Sequence, residues 1–422
     1  MMGRRLGAVI FAVAAILAVS GCASDSTGLS PGFNQHLSTI VSPYAFNLAG
    51  WEIGSLFAGI KRSTIDREPA SALTAPAVLK YFADVSQVNA LQGQLQAAAA
   101  GRNQGELRSD QTRLNSLDND LNGLKLIAEQ TIADQIAATL AAQGIDNPFG
   151  VSWFKINFPP VNFRLEDPLN ELIISPRSKI ERIKSVTLRP DMTVAQMDTV
   201  ESALYALNVS ALVVQIGGLG ATYPAFVANN ADLLWTLQTA SHEWVHQYLA
   251  FKPLGFHYVL DLLGITTNYS IDTINETVAD LIGHEIGTEV YDRYYVPYLP
   301  PSPVNPGPTS PAGFDANAAL RQIRRQVDTL LAAGHVDAAE TYMNQQRDYL
   351  ASRGYYIRKL NQAYFAFYGT YADSPTSVDP TGAEIRTLRA RSPSLRIFLD
   401  QVSGLTSVQQ LNTLLSLPTT GH

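Results

Sequence analysis

In Ser241-His242-Glu243-Trp244-Val245-His246, two histidines stand four residues apart and a glutamate directly follows the first. On an α-helix such residues lie one turn apart on the same face, so His242 and His246 can direct both imidazoles at one ion. Zinc accepts imidazole nitrogens at about 2.0–2.1 Å, a distance that such a pair can meet. Glu243 does not share their direction fully, yet it can reach a water bound to the metal, which is where a general base belongs. The chemistry implied is metal-assisted hydrolysis. Only seven histidines occur in 422 residues, so their spacing carries information. The bland alternative is a helix with two surface histidines and an ion-paired glutamate, which needs no third ligand.

Elements on either side must hold this pair in place. Leu233, Leu234, Leu237, Trp244, Tyr248 and Leu249 supply the apolar positions of a helix over 230–251, and a second helix is expected over 273–295. Upstream, four β-rich runs lie between 150 and 189: VSWFKINF, VNFRL, ELIIS and IERIKSVTL, split by prolines. A helix over 193–207 and a strand over 211–216 follow. The glycines from Gly217 to Gly220 have the wrong spacing for a dinucleotide loop, and Pro224 marks an edge strand or a bend. Residues 51–147 are expected to form a helical region. Leu107, Leu114, Leu117, Leu121 and Leu124 make one stripe there, and Gly101 and Gly105 favour a helical hairpin over a single rod. A Pro-rich linker or cleft loop covers 296–315. Helices are expected over 316–333, 336–352 and 356–371, within an all-helical region 316–422.

Composition narrows the function. Lys and Arg number 30 against 37 Asp and Glu, a net charge of -7, which excludes a general nucleic-acid binder that needs a basic face. The lone cysteine excludes a disulfide framework, a Cys-rich zinc module and a CxxC redox site. At the amino terminus, Arg4 and Arg5 precede an apolar run from Leu6 to Val19 and the small residues Ser20 and Gly21. That order reads as a secretory signal over 1–21. The sequence Val19-Ser20-Gly21-Cys22 resembles the lipobox of bacterial lipoproteins, which implies cleavage before Cys22, a lipid anchor on Cys22 and a tether over 22–50.

Two histidines alone hold zinc poorly, so a third ligand is needed. The metzincin extension of the motif fails, because Leu249 and Lys252 occupy its glycine and histidine positions. Farther on stands Asn275-Glu276-Thr277-Val278-Ala279-Asp280, expected at the start of the next helix. Together the two elements resemble the HExxH and NExxxD elements of gluzincins, the thermolysin-like and aminopeptidase-containing clan of zinc peptidases. The resemblance covers 242–291, with a longer gap between the elements than in many gluzincins. It implies that Glu276 is the third ligand and that Asp280 orients His242. His257, within the gap, is the rival third ligand. Gluzincins also take an oxyanion donor from a Tyr or His outside the motif helices. Among Tyr355, Tyr356, Tyr364, Tyr368 and Tyr371, Tyr368 is the choice. The leader, HExxHQ, later NE element and helical tail also look like a group of bacterial lipoproteins called predicted aminopeptidases.

The resulting expectation is an α+β, predominantly helical chain. It has a zincin-like catalytic core over 148–295 with a small mixed or antiparallel sheet, and a C-terminal helical subdomain. The expected activity is hydrolysis of peptides or proteins by a secreted metallopeptidase with one zinc. It binds no nucleic acid and meets the membrane of the bacterial cell envelope through its lipid only. The alternatives are a zinc hydrolase of cell-wall or non-peptide amides, and a non-catalytic envelope scaffold. The segment Gly217–Val227 precedes the HExxH helix as the substrate-aligning edge strand does in zincins.

Overall fold

The computed structural model describes residues 32–47, 74–98, 104–149, 157–262, 265–266, 268–299 and 314–417. The leader, Cys22, part of the tether, most of the first β-rich run and the centre of the Pro-rich stretch lie outside the described residues. The chain is predominantly helical, with two small three-stranded sheets, an α+β arrangement.

The sheet expected as one is two. β1 (Phe163–Glu166), β2 (Asn170–Pro176) and β3 (Lys184–Leu188) are followed by α4 (Val194–Tyr205), then β4 (Val209–Gln215), β5 (Gly218–Leu219) and β6 (Ala225–Ala228). β2 pairs antiparallel with both β3 and β4, so Ile173 lies opposite Ser185 on one side and Leu212 on the other. In the second sheet β6 is central, parallel to β1 and antiparallel to β5. The chain changes sheets at Gly217, against which the Trp235 ring packs so closely that a Cβ there would overlap it. Pro224 stands in the bend directly before β6, where its missing N–H interrupts no ladder.

The helices surround these sheets. α1 (Phe33–Val41) packs on the first sheet with α4, whose Thr193 N-cap forms a reciprocal capping box with Gln196. α2 (Ala75–Ala98) and α3 (Gln104–Ala142) lie against each other, with Val88 and Leu91 meeting Leu114 and Leu117. α5 (Leu233–Leu249), α6 (Pro253–Leu262) and α7 (Tyr269–Tyr294) carry the motif residues. After α8 (Ala316–Ala332) and α9 (Val336–Ser352), the expected helix over 356–371 is reduced to α10 (Gln362–Tyr368). The reason is an ion-pair clamp. Arg358 and Lys359 reach the buried Glu201 of α4, and the amide of Asn361 donates to Ala211 O while its Oδ1 caps α10. α11 (Thr381–Arg391), α12 (Leu395–Ser403) and α13 (Val408–Ser416) complete the chain. The helices beyond 316 divide their burial. α8 to α10 share one apolar cluster, whereas α11 to α13 join the main core around α5 and α7.

α5 and α7 are buried on most sides, and their separation is set by two glycines one turn apart. A Cβ at Gly283 would lie 2.8 Å from Gln238 O and from His242 Cβ; one at Gly287 would lie 2.5 Å from Gln238 N. Backbone cannot yield there as a flexible side chain can, so neither position admits a larger residue without moving the helices apart. Gly287→Ala is expected to destabilise the protein by about 1–3 kcal/mol through overpacking. Gly123→Ala, in an exposed part of α3 with open space around it, is expected to stabilise by about 0.5–1 kcal/mol. Thermal or urea unfolding checks both, and equal effects at the two sites would refute the contact argument.

Candidate metal centre

Close packing of α5 on α7 brings three donors together. His242 Nε2 and His246 Nε2 lie 2.9 Å apart, and Glu276 Oε2 lies 3.4 Å from each. His242 and Glu276 are buried, at 8% and 6% exposure. Among the described residues this is the group of His, Cys, Asp and Glu side chains arranged to hold a metal ion.

The donor chemistry fits a cation. Asn275 Oδ1 stands 2.6 Å from His246 Nδ1 and accepts a hydrogen bond from its N–H, so in the neutral imidazole Nε2 carries the lone pair. That lone pair faces the other imidazole and a carboxylate oxygen that has no hydrogen-bond partner although it is buried. Such a group is costly unless something positive sits among its members. Four ligands placed tetrahedrally about 2.0–2.1 Å from zinc would be separated by about 3.3 Å, close to the two 3.4 Å spacings found here.

Without a metal, protons take up part of this role. Burial alone would lower the His242 imidazolium, but contact with Glu276 and the charges of Glu243 and Asp280 push it up to about 9. Burial would raise Glu276, yet His246 and His242 outweigh it and hold the carboxyl well below its usual range. Glu243, one residue beyond His242, is raised by burial despite both imidazoles.

Glu243 lies in a cradle of backbone. A Cβ at Gly218 would overlap its carboxylate, and one at Gly220 would lie 2.8 Å from its Oε2. Gly218 belongs to β5, which pairs with β6 alone among the described strands, so β5 is an edge beside Glu243. Gln247 steadies the turn after β5 by donating from Nε2 to Thr222 O, at 2.7 Å.

Several neighbours complete the surroundings. Asp280 Oδ1 lies 3.8 Å from His242 Nδ1 and 3.7 Å from the exposed His284, so it stands behind the first imidazole. Asp373 faces Asp280, and burial with that neighbouring carboxyl raises it to about 7. Tyr258 donates to Glu276 Oε1 at 2.5 Å, and its ring stacks on His246 at 5.2 Å and 12°.

The structure separates two of the candidate tyrosines. Tyr368 packs on Tyr364 and Phe367 and lines a separate cavity with Tyr269, Arg324 and Asp379. Tyr371 is the one beside the centre, its ring 6.3 Å from that of His242. α10 ends at Tyr368, so the two tyrosines do not share a helical face. Burial, then the carboxylates of Glu276 and Glu243, raise the Tyr371 hydroxyl well above its usual range, so it stays a donor. The NE element also differs from expectation: α7 starts at Tyr269, which places Glu276 two turns inside a helix and not in its first turn. A helix dipole therefore does not account for this acid. His257 is not in the donor group; the next residue, Tyr258, faces the centre. Asn275 and Tyr258 received no role from the sequence, whereas Tyr371 was one of the five candidate tyrosines. Of the first two, Asn275 carried a signal, as the partner of Glu276 in the NE pair.

Fold and site together define an α+β chain whose buried His-His-Glu group can hold a metal ion. No protein-family model, curated protein or solved structure shows significant similarity to the chain.

The raised His242 group stabilises the metal-free fold fully below its ordinary value of 6.5, and this contribution is lost as pH rises through about 9. Chelator-treated protein is therefore expected to lose a few degrees of melting temperature between these two pH values. Saturating metal should remove that dependence. A flat profile for the metal-free protein would contradict the assignment.

Proposed function

We propose that this protein is a zinc metallopeptidase of gluzincin type. The observation that supports it is the convergence of His242, His246 and Glu276 with Glu243 alongside an edge strand. Two imidazoles and one carboxylate are the ligand types of catalytic zinc, whereas calcium and magnesium favour all-oxygen sets. A zinc ion held there supplies Lewis acidity and makes water a usable nucleophile near neutral pH.

The chain's own residues then divide the work. His242 and His246 would hold the ion through Nε2, with Asp280 behind the first and Asn275 on the second. Glu243 is buried with its carboxyl raised, which suits it to take a proton from the attacking water and pass it to the leaving amine. Tyr371 keeps its proton and donates to the substrate carbonyl oxygen as negative charge grows there. The edge of β5 left unpaired among the described strands receives an extended peptide through main-chain hydrogen bonds, with Gly218 and Gly220 allowing close approach to Glu243. In the same reading the chain is exported to the bacterial cell envelope and held to a bilayer by lipid on Cys22.

Glu243→Gln is expected to keep about one zinc per chain while losing roughly 10²–10⁴ in peptide turnover. His246→Ala should lose both metal and turnover, as read by metal analysis and a peptide panel. Wild-type protein purified without chelator that carries no divalent metal and cleaves nothing would leave an envelope scaffold instead. Cys22→Ala should move the protein from the membrane fraction to the soluble fraction, and no redistribution would refute the anchor.

A further inference from the structure

The gap between the two motif elements contains α6, and one side chain of that helix touches two of the three metal donors' residues. The Tyr258 hydroxyl donates to Glu276 Oε1 at 2.5 Å. Its ring lies nearly parallel to the His246 ring, with centroids 5.2 Å apart. A carboxylate has two oxygens able to reach a cation, and using both would fill an extra coordination position. Here one oxygen is taken by Tyr258, and the other, Oε2, is buried with no hydrogen-bond partner and lies 3.4 Å from both imidazole nitrogens. His246 is held at the same time on its edge, through Nδ1 and Asn275, and on its face, through Tyr258.

The helix that presents Tyr258 is itself fixed. α6 meets the carboxyl end of α5 so closely that a Cβ at Gly255 would overlap the backbone of Leu249. A carboxylate oxygen can only accept, so in this pair the Tyr258 hydroxyl is the donor.

We propose that Tyr258 is a positioning residue for the metal centre, restricting Glu276 to a single ligand oxygen and bracing His246. The proposal rests on the metal-site reading of His242, His246 and Glu276 and assigns to α6 a role in metal retention. It requires no contact between Tyr258 and substrate.

The test is zinc affinity, measured by competition with a chromogenic chelator, for wild type, Tyr258→Phe and Phe256→Ala. Phe256 is on the same helix and 53% exposed, so its variant reports on general loosening of α6. Tyr258→Phe keeps the ring and loses the donor. It is expected to bind zinc about 10–100-fold more weakly, the usual cost of removing a partner behind a ligand. Its metal-free melting temperature should stay close to that of wild type, and the visible spectrum of the cobalt-loaded protein should change. Phe256→Ala should match wild type in affinity and spectrum. A folded Tyr258→Phe protein with wild-type affinity and spectrum overturns the role of Tyr258 and leaves the metal site intact. Failure of wild type itself to bind zinc overturns the site and Tyr258 with it. If Tyr258→Phe does not fold, a crystal structure of zinc-loaded wild type decides. One Glu276 oxygen on the metal with Tyr258 on the other supports the proposal, and two Glu276 oxygens on the metal refute it.

Discussion

Bringing Glu276 against two imidazoles requires α5 and α7 to approach almost backbone to backbone, and the rest of the centre depends on that approach. Gly283 and Gly287 permit it by presenting no side chain to Gln238 and His242. The two helices could separate by the width of a methyl group and still bury apolar residues such as Ile274, Val278, Ile282 and Ile286. They would then lose the 3.4 Å spacings between the carboxylate and the imidazoles. Apolar packing therefore supplies the driving force, and the glycines set the distance at which it stops.

The same approach creates an electrostatic problem. Glu243 and Glu276 are both buried, and burial of an ionised carboxylate costs several kcal/mol unless it is compensated. Asp280 and Glu171 add to the field felt at Tyr371. A fixed cation nearby, Arg182, pairs with the buried Asp272 at 2.7 Å and acts on Glu276 only at longer range. Protonation of His242 offsets part of the excess in the metal-free protein. A divalent ion would offset more of it and would not require one imidazole to carry a proton. Charge balance and ligand geometry are thus both compatible with a His-His-Glu group that can hold a metal ion.

Legibility in the sequence followed the range of the interaction. His242, Glu243 and His246 were readable because their relation is local: one turn of a helix whose apolar positions are plain. Helix α8 was readable for the same reason, its expected span of 316–333 differing by one residue from Ala316–Ala332. The start of α7 was not. Asn268 caps it by accepting from Ile271 N, and the first turn buries Asp272 against Arg182, a partner 90 residues away. The split into two sheets was hidden likewise, since it depends on β1 finding β6 in parallel and on Trp235 packing over Gly217. Tyr368 and Tyr371 are equivalent in a helical reading; the end of α10 separates them. Glycines 283 and 287 had the spacing of a close helix contact, but the identity of the facing residues lay outside the sequence pattern.

The connection between α5 and α7 has a physical consequence of its own. Loop-closure entropy grows only slowly with length, so lengthening the connection costs little once α5 and α7 are already packed. What the connection must still do is avoid leaving unsatisfied polar backbone beside a buried centre. Folding part of it as α6 meets that need, because a helix bonds most of its own backbone. It also places Leu254 in the main core and Tyr258 over His246. A spacer of equal length without helical structure would close the same ends, but it would present no ring at a fixed depth and no hydroxyl to Glu276. The connection therefore joins the His-His-Glu group to the core by a second route besides the α5–α7 contact, and Glu276 is held by Tyr258 as well as by its own helix.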